Sequence, residues 1–157
     1  MKNRHAKGSV VKTVATSLMI DKIAGLYGVK VHETPVGFKW IGQIMRQEDV
    51  IVGGEESGGL SVIGHIPEKD GIVANLLILE MMAYENKTLY EIVEELKQEI
   101  GVHYINYRLD LRLTEALKES AMDMFNNNPP EKVGPVNITK VNRLDGVKFY
   151  FDDGNTW

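Results

Sequence analysis

Residues 49–59 read DVIVGGEESGG, a compact apolar strand that runs directly into a glycine-rich loop. Val50, Ile51 and Val52 form the short β-branched run that is typical of a buried strand. Four of the seven residues from 53 to 59 are glycine, which adopts backbone conformations that other residues resist and lets a ligand approach closely. In α/β proteins ligands bind beyond the carboxyl ends of the strands, so this loop is the first place to expect a site.

Strand and helix patterns alternate on both sides of this segment. Asp70 offers a cap for a long apolar helix, and Thr88 with Glu91 forms a T-x-x-E capping box for the next. The alternation predicts right-handed β-α-β units, and therefore an α/β fold with a mixed, mostly parallel sheet and flanking helices. The predicted elements are strands at 10–15, 29–33 and 49–53, and helices at 18–26, 38–46, 71–84 and 88–101.

The pattern changes after Gly101. Residues 104–113 alternate and predict an extended segment, 114–125 predict an amphipathic helix, and an Asp145-Gly146 turn joins predicted strands at 138–142 and 147–151. We therefore expect two domains. The first is an α/β domain over 1–103, and the second is an incomplete α+β domain over 104–157.

Composition excludes several classes of protein. The formal net charge of −4 argues against a general nucleic-acid binder, and the absence of cysteine removes disulfides, thiolate metal sites and cysteine nucleophiles. No segment has the length and apolarity of a membrane span, and no signal peptide is visible. We therefore expect a cytoplasmic protein with no nucleic-acid or membrane partner.

The chemistry of the loop lies in Glu55, Glu56 and Ser57. Two carboxylates would repel a phosphate, but a carboxylate accepts hydrogen bonds from neighbouring sugar hydroxyls, and a serine both donates and accepts. The residues therefore suit the recognition of polyol hydroxyls. From composition alone, a plain surface turn is the favoured alternative.

Four segments in order resemble the α-D-phosphohexomutases, the phosphoglucomutase/phosphomannomutase family. GEESGG at 54–59 resembles the sugar-binding loop of that family, and TPVGFK at 34–39 is similar to a threonine-x-x-glycine-x-lysine segment of the same domain. HIPEKDG at 65–71 resembles its E-K-D-G segment, and LDGVK at 144–148 resembles the start of its last domain. The Glu55-Glu56 pair is closer to phosphoglucomutase-type loops than to phosphoglucosamine mutases, which have glutamine at the second position.

The resemblance implies roles for individual residues. Glu55 and Ser57 would bind the O3 and O4 hydroxyls of the substrate, and Lys69 would lie near the sugar or its phosphate and could assist proton transfer. Each further candidate has a structural alternative: Lys69 pairing with Glu68 or Asp70, Lys39 as a solvated helix residue, and His65 as a loop histidine with satisfied hydrogen bonds. The implied substrate-binding set is Gly54, Glu55, Ser57, Gly58, Lys39, His65 and Lys69, with no catalytic serine and no metal ligand in this sequence.

The implied activity of the family is interconversion of hexose 1-phosphate and hexose 6-phosphate, with glucose favoured over mannose. A phosphoserine, a hexose 1,6-bisphosphate intermediate and Mg²⁺ held by a D-x-D-x-D-R loop perform this reaction in a complete enzyme. The serine and aspartate motifs are absent from this sequence, which would correspond to an N-terminally trimmed, sugar-binding third domain and part of a fourth without its phosphate-binding loop. We therefore expect the fragment alone to be inactive and to need the remaining mutase domains. The alternative is a non-catalytic module that binds sugar phosphate or a partner, and exposed domain faces would favour self-association.

Overall fold

The computed structural model describes residues 6–154 and 156–157. The chain forms two compact units, which divide between Tyr104 and Ile105. No helix of the described part is long and apolar enough to cross a membrane.

The first unit is an α/β domain built on one sheet. The sheet order is β2-β1-β3-β4, in which β1 pairs in parallel with both β2 and β3, and β4 pairs antiparallel with β3. This confirms the predicted mixed, mostly parallel sheet with flanking helices. Its elements are β1 Ser9–Thr13, α1 Met19–Leu26, β2 Val31–Thr34, α2 Phe38–Met45, β3 Val50–Gly54, β4 Leu60–Val62, α3 Gly71–Glu85 and α4 Leu89–Ile100.

The fourth strand, Leu60–Val62, is not among the predicted elements. It pairs Leu60 with Gly54 and Val62 with Val52, so the glycine-rich segment is the turn of a β3–β4 hairpin. Three residues are too few to show a strand periodicity in the sequence. Pairing with β3 therefore defines this strand, and it turns the chain back along the sheet.

The core lies between α2 and one face of the sheet. Val11, Phe38, Ile41 and Val50 are buried together, and Ile44 and Met45 pack against them. Gly53 on β3 lies directly beneath Ile41, because a Cβ added at Gly53 would collide with Ile41 Cγ2. The glycine thus lets α2 approach the strand that leads into the turn.

The helix signals of the sequence are confirmed at α3 and α4. The Asp70 side chain accepts hydrogen bonds from the backbone N–H groups of Ile72 and Val73. Thr88 and Glu91 form both halves of the capping box, and α4 ends at Gly101 with a φ of 68°. These ends are encoded locally, since each cap needs only residues within one helical turn.

The second unit contains one helix and a small antiparallel sheet of order β5-β6-β7. The predicted hairpin is confirmed, with Gly146 at a φ of 71° in the turn. Residues 102–114, whose alternation predicts an extended segment, contain neither a helix nor a paired strand. The elements are α5 Glu115–Asn127, β5 Lys132–Val133, β6 Val136–Asn142 and β7 Lys148–Phe151.

The contact at Gly53 yields a stability prediction. Gly53→Ala should lower the free energy of unfolding by about 1–3 kcal/mol, because the added methyl overpacks a buried site. Gly25→Ala is the matched control: Gly25 lies in α1 with no atom within 4 Å of an added Cβ. The control should be stabilised by about 0.5–1 kcal/mol, since alanine favours a helix. Urea unfolding of both variants measures these changes. Equal free energies of unfolding for Gly53→Ala and Gly25→Ala would contradict the close contact between Gly53 and Ile41.

Contacts at the amino ends of β1 and β3 yield a pH prediction. Glu48 accepts a hydrogen bond from Ser9 Oγ at 2.6 Å and also contacts His32 and Lys30. The Ser9 hydrogen bond, followed by the His32 and Lys30 contacts, lowers the pKa of Glu48. A lowered folded-state pKa contributes stability above the ordinary pKa of glutamate, about 4.3, which is lost as the pH falls through the folded value. Glu48→Gln should therefore weaken the acid dependence of unfolding, and an unchanged profile below about pH 4 would refute this.

Candidate functional site

The candidate site is built around a tight turn at the carboxyl ends of the parallel strands. Residues 55–59 connect β3 to β4, and the Glu55 N–H donates to the Gly59 carbonyl at 2.9 Å. The Gly58 N–H donates to the Glu55 carbonyl at 3.0 Å, with Gly58 at a φ of 88°. A left-handed residue at this position is readily supplied by glycine. The turn therefore presents three consecutive polar side chains, those of residues 55–57, at the sheet edge where α/β proteins bind ligands.

Glu55 lies on the β4 side of the turn beside Lys69. The Glu55 side chain is 6% exposed, and its Oε2 lies 3.5 Å from the ammonium of Lys69, which is 56% exposed. A Cβ at Gly59 would lie 3.0 Å from Lys69 Cδ and 3.4 Å from Glu55 Oε2, so the glycine leaves room for this pair. The backbone fixes Lys69 here, because the N–H of Asp70 donates to the Leu60 carbonyl at 3.0 Å.

Glu56 lies on the other side of the turn. One of its carboxylate oxygens accepts a hydrogen bond from Thr13 Oγ1 at 2.8 Å, and Thr13 Oγ1 lies 2.9 Å from Thr16 Oγ1. Ser57 follows at the tip and is exposed. The two adjacent carboxylates therefore diverge, one toward Lys69 and the other toward the end of β1.

A cleft of about 180 Å³ opens beside the turn. Its lining includes Gly54, Glu55 and Gly58 at the turn, and Thr16 and Ile20, which follow β1 in the chain. The lining also includes Val10, Val11, Lys12, Val52, Gly59 and Leu60.

Lys12 is a buried cation at this cleft. Its side chain is 2% exposed, its ammonium contacts the Asp21 carboxylate, and it lies 3.5 Å from Glu33 Oε2. It also donates to the Ser17 carbonyl at 3.4 Å. A buried charge requires such partners, and these contacts link β1 to α1 and β2.

His65 is not part of the turn, and its side chain contacts Asp70. It follows β4 and lines a second cavity, of about 150 Å³, together with Glu48 and Asp49, which precede β3. Its Nε2 lies 3.2 Å from Asp70 Oδ2. The backbone N–H of Val73, then that of Ile72, and then His65 lower the pKa of Asp70. His65 is thus connected to the start of α3, next to Lys69 in sequence.

Lys39 follows the carboxyl end of β2, at the second position of α2. Its ammonium lies 4.9 Å from the centre of the Trp40 ring. Within the described residues, no hydrogen bond or ion pair joins Lys39 to the turn at 55–59. Of the residues predicted from the sequence, the structure therefore brings together Gly54, Glu55, Gly58 and Lys69, with Ser57 exposed beside them.

Comparison with known proteins identifies the family. Residues 1–100 match the model described as phosphoglucomutase/phosphomannomutase, alpha/beta/alpha domain III. The chain belongs to this family. The curated relatives include a phosphoglucosamine mutase of Methanococcus maripaludis and a phosphoglucomutase of Komagataeibacter xylinus, each 32% identical to the chain. The Glu55-Glu56 pair predicts a phosphoglucomutase rather than a phosphoglucosamine mutase. These two relatives do not support that prediction, because the chain is equally identical to both.

The chain spans only part of these phosphohexomutases. The alignments cover 92% and 84% of the chain but 30% and 24% of the two relatives. A protein of Thermus thermophilus that carries a phosphomannomutase assignment has a TM-score of 0.78 at 32% identity, covering 95% of this chain and 30% of that one. The open form of the Paramecium phosphoglucomutase pp63/parafusin has a TM-score of 0.66 at 30% identity, covering 93% and 29%.

Thr13 and Glu56 are not among the mutase site residues predicted from the sequence, although the structure joins them at the turn. Glu56 belongs to the polar loop that the sequence singles out, but the resemblance assigns a ligand role only to its two neighbours, Glu55 and Ser57. Thr13 has a signal in the sequence: it ends a buried parallel strand, and the side chains that follow such strands meet at one edge. The partner of Glu56 lies 43 residues earlier in the chain, so it could not be inferred from local pattern.

The described residues of this chain do not fit a magnesium site. No group of three or more histidine, aspartate or glutamate side chains among residues 6–154 and 156–157 is arranged to hold a metal ion. No chemical step is therefore assigned to a metal within these residues.

The turn geometry yields a prediction for Gly58. Gly58→Ala should lower the free energy of unfolding by about 1–2 kcal/mol, because an L-residue at this positive φ brings its Cβ close to the backbone. Gly71→Ala is the control, since Gly71 begins α3 without a positive φ and with no atom within 4 Å of an added Cβ. The control should change by less than about 0.5 kcal/mol. Thermal unfolding of the two variants measures the difference, and equal losses would refute the turn geometry.

Proposed function

We propose that this chain supplies sugar-hydroxyl recognition to a phosphohexomutase that interconverts hexose 1-phosphate and hexose 6-phosphate. The observation that carries the proposal is the shielded Glu55 carboxylate, held at the edge of the sheet beside the Lys69 ammonium and a cleft. A shielded carboxylate with a fixed direction binds a pair of vicinal hydroxyls better than a mobile one, because less conformational freedom is lost on binding. Ser57, exposed at the tip, adds a group that can both donate and accept.

The charges of the turn favour the sugar ring over the phosphate as the group it contacts. Glu55 and Glu56 carry two negative charges in adjacent positions, and within the described contacts of the turn only Lys69 brings a positive charge. A phosphate would be repelled at this point, whereas hydroxyl donors match carboxylate acceptors. In the proposed site Lys69 lies near the sugar or its phosphate. Its ammonium orients the Glu55 carboxylate, and it can contact a sugar oxygen and assist proton transfer at that oxygen.

The remaining candidates have more distant roles in the proposal. Lys39 follows β2 at the same edge of the sheet and could meet the phosphate of a bound sugar. His65 acts through Asp70, whose backbone precedes α3 and follows Lys69. Gly54 and Gly58 contribute backbone and space rather than side chains.

The complete reaction requires parts that we assign to the remaining mutase domains. A phosphoserine there would transfer its phosphoryl group to a hexose monophosphate, forming a hexose 1,6-bisphosphate, and would recover the other phosphoryl group after the sugar reorients. Mg²⁺ would be bound by those domains and would stabilise charge on the transferring group. The substrate we favour is a glucose phosphate, with mannose phosphate as the alternative, since both offer the hydroxyls at positions 3 and 4.

A second function, a module that binds sugar phosphate without turning it over, shares the same turn. The observation that favours it is that the turn and its cleft both lie within residues 1–100, which match a single domain of the family. The two functions differ in catalysis and not in binding, so the 157-residue chain should bind glucose 1-phosphate and should not convert it. Conversion of glucose 1-phosphate to glucose 6-phosphate by the purified chain would contradict our assignment of the chemistry to other domains.

The binding role of the turn is tested with two substitutions. Glu55→Ala should weaken the binding of glucose 1-phosphate by about tenfold or more, because hydrogen bonds to a charged group are lost. Ser57→Ala should weaken it by about threefold to tenfold, the size of one neutral hydrogen bond. The affinities are measured by NMR titration of the full chain, with circular dichroism to confirm folding.

Glu119→Ala provides the matched control for these substitutions. It removes an exposed carboxylate from α5, in the other unit, and should leave the affinity for glucose 1-phosphate unchanged. Equal affinities for Glu55→Ala, Ser57→Ala and the control would reject the turn as the sugar site.

A further inference from the structure

We propose that Glu56 is a positioning residue: by accepting the hydrogen bond of the buried Thr13 hydroxyl, it holds the turn that presents Glu55 and Ser57. The inference rests on the proposed function of the turn. It concerns a residue that follows one predicted ligand and precedes the other, and whose carboxylate points away from Lys69.

The hydroxyl that donates to Glu56 is shielded from solvent. Thr13 ends β1 and is 0% exposed, and its Oγ1 lies 2.8 Å from Glu56 Oε2. A carboxylate can only accept, so the Thr13 hydroxyl must donate to Glu56. Thr16 Oγ1, at 2.9 Å, is then the donor to Thr13 Oγ1. Two hydroxyl hydrogen bonds in series strengthen one another, and this series ends on Glu56.

The hydrogen bond from Thr13 lies on the side of the turn opposite Lys69. The hydrogen bonds of Glu55 and Gly58 are within the turn, and Lys69 lies on the β4 side. Thr13 belongs to β1, the strand on the opposite side of β3. The turn is therefore held by Lys69 on one side and by Thr13 of β1 on the other. The pairing of β1 with β3 ends at Lys12 and Gly54, so the hydrogen bond from Thr13 to Glu56 extends the attachment to β1 into the turn itself. Because Ser57 follows Glu56 directly, the direction of its hydroxyl depends on this attachment.

A hydrogen bond and a charge make different demands on residue 56. The amide oxygen of glutamine can accept from Thr13 as a carboxylate does, whereas alanine cannot. If Glu56 acts by position, Glu56→Gln should behave as the parent chain and Glu56→Ala should not. If Glu56 instead acts by its charge, for example by direct contact with the sugar, both substitutions should be harmful.

The test combines substitutions at both ends of the hydrogen bond in the full chain. Glu56→Ala and Thr13→Val should each weaken glucose 1-phosphate binding by about threefold to tenfold, and the double variant by no more than either one, because both remove the same interaction. Glu56→Gln and Thr13→Ser should retain the affinity of the parent chain. Glu119→Ala is again the control for a lost carboxylate.

Amide hydrogen exchange supplies a readout that needs no ligand. The N–H groups of Glu55 and Gly58 should exchange several-fold faster in Glu56→Ala and Thr13→Val, and as in the parent chain in Glu56→Gln. Unchanged exchange in Glu56→Ala, additive losses of affinity in the double variant, or a Glu56→Gln variant as weak as Glu56→Ala would each overturn the proposal. If the parent chain binds no glucose 1-phosphate, the proposed function fails for this chain, and the exchange rates still show whether Thr13 and Glu56 hold the turn.

Discussion

The candidate site depends on the close approach of α2 to the β3–β4 hairpin. Two glycines permit it: Gly53 lies beneath Ile41, and an added Cβ at Gly42 would come within 2.5 Å of the Pro67 carbonyl oxygen. One contact lies on β3, just before the turn, and the other lies in the segment that leads from β4 to Lys69. Because packed interiors tolerate little extra volume, these contacts fix the strand and the returning chain relative to one helix. The hydrogen bond from the Asp70 N–H to the Leu60 carbonyl then places Lys69 beside Glu55.

The turn resolves the repulsion between two neighbouring carboxylates by directing them apart. Glu55 lies beside an ammonium group, and Glu56 accepts from a buried hydroxyl. Each carboxylate therefore gains a partner, and the backbone between them is constrained from both sides. Such preorganisation lowers the conformational entropy lost when a ligand binds. In the proposed function this would favour the binding of sugar hydroxyls, since hydroxyl hydrogen bonds are individually weak in water.

Much of the fold could be predicted from short-range patterns, and the departures have physical causes. The caps at Asp70 and Thr88 and the hairpin at Gly146 were predictable because each depends on residues a few positions apart. Strand β4 was not, since three residues show no periodicity and pairing with β3 defines it. His65 illustrates the limit for the site: its motif adjoins Lys69 in sequence, yet the antiparallel course of β4 carries it toward the residues that precede β3.

The sequence alone established the α/β class, the order of its main elements and the polar turn after β3, because hydrophobic periodicity, caps and glycines act over a few residues. The tertiary structure established which side chains meet. Lys69 lies 14 residues from Glu55 in the chain, and Thr13 lies 43 residues from Glu56. Contacts over such separations depend on the sheet order β2-β1-β3-β4 and on the direction of β4, and strand pairing sets both.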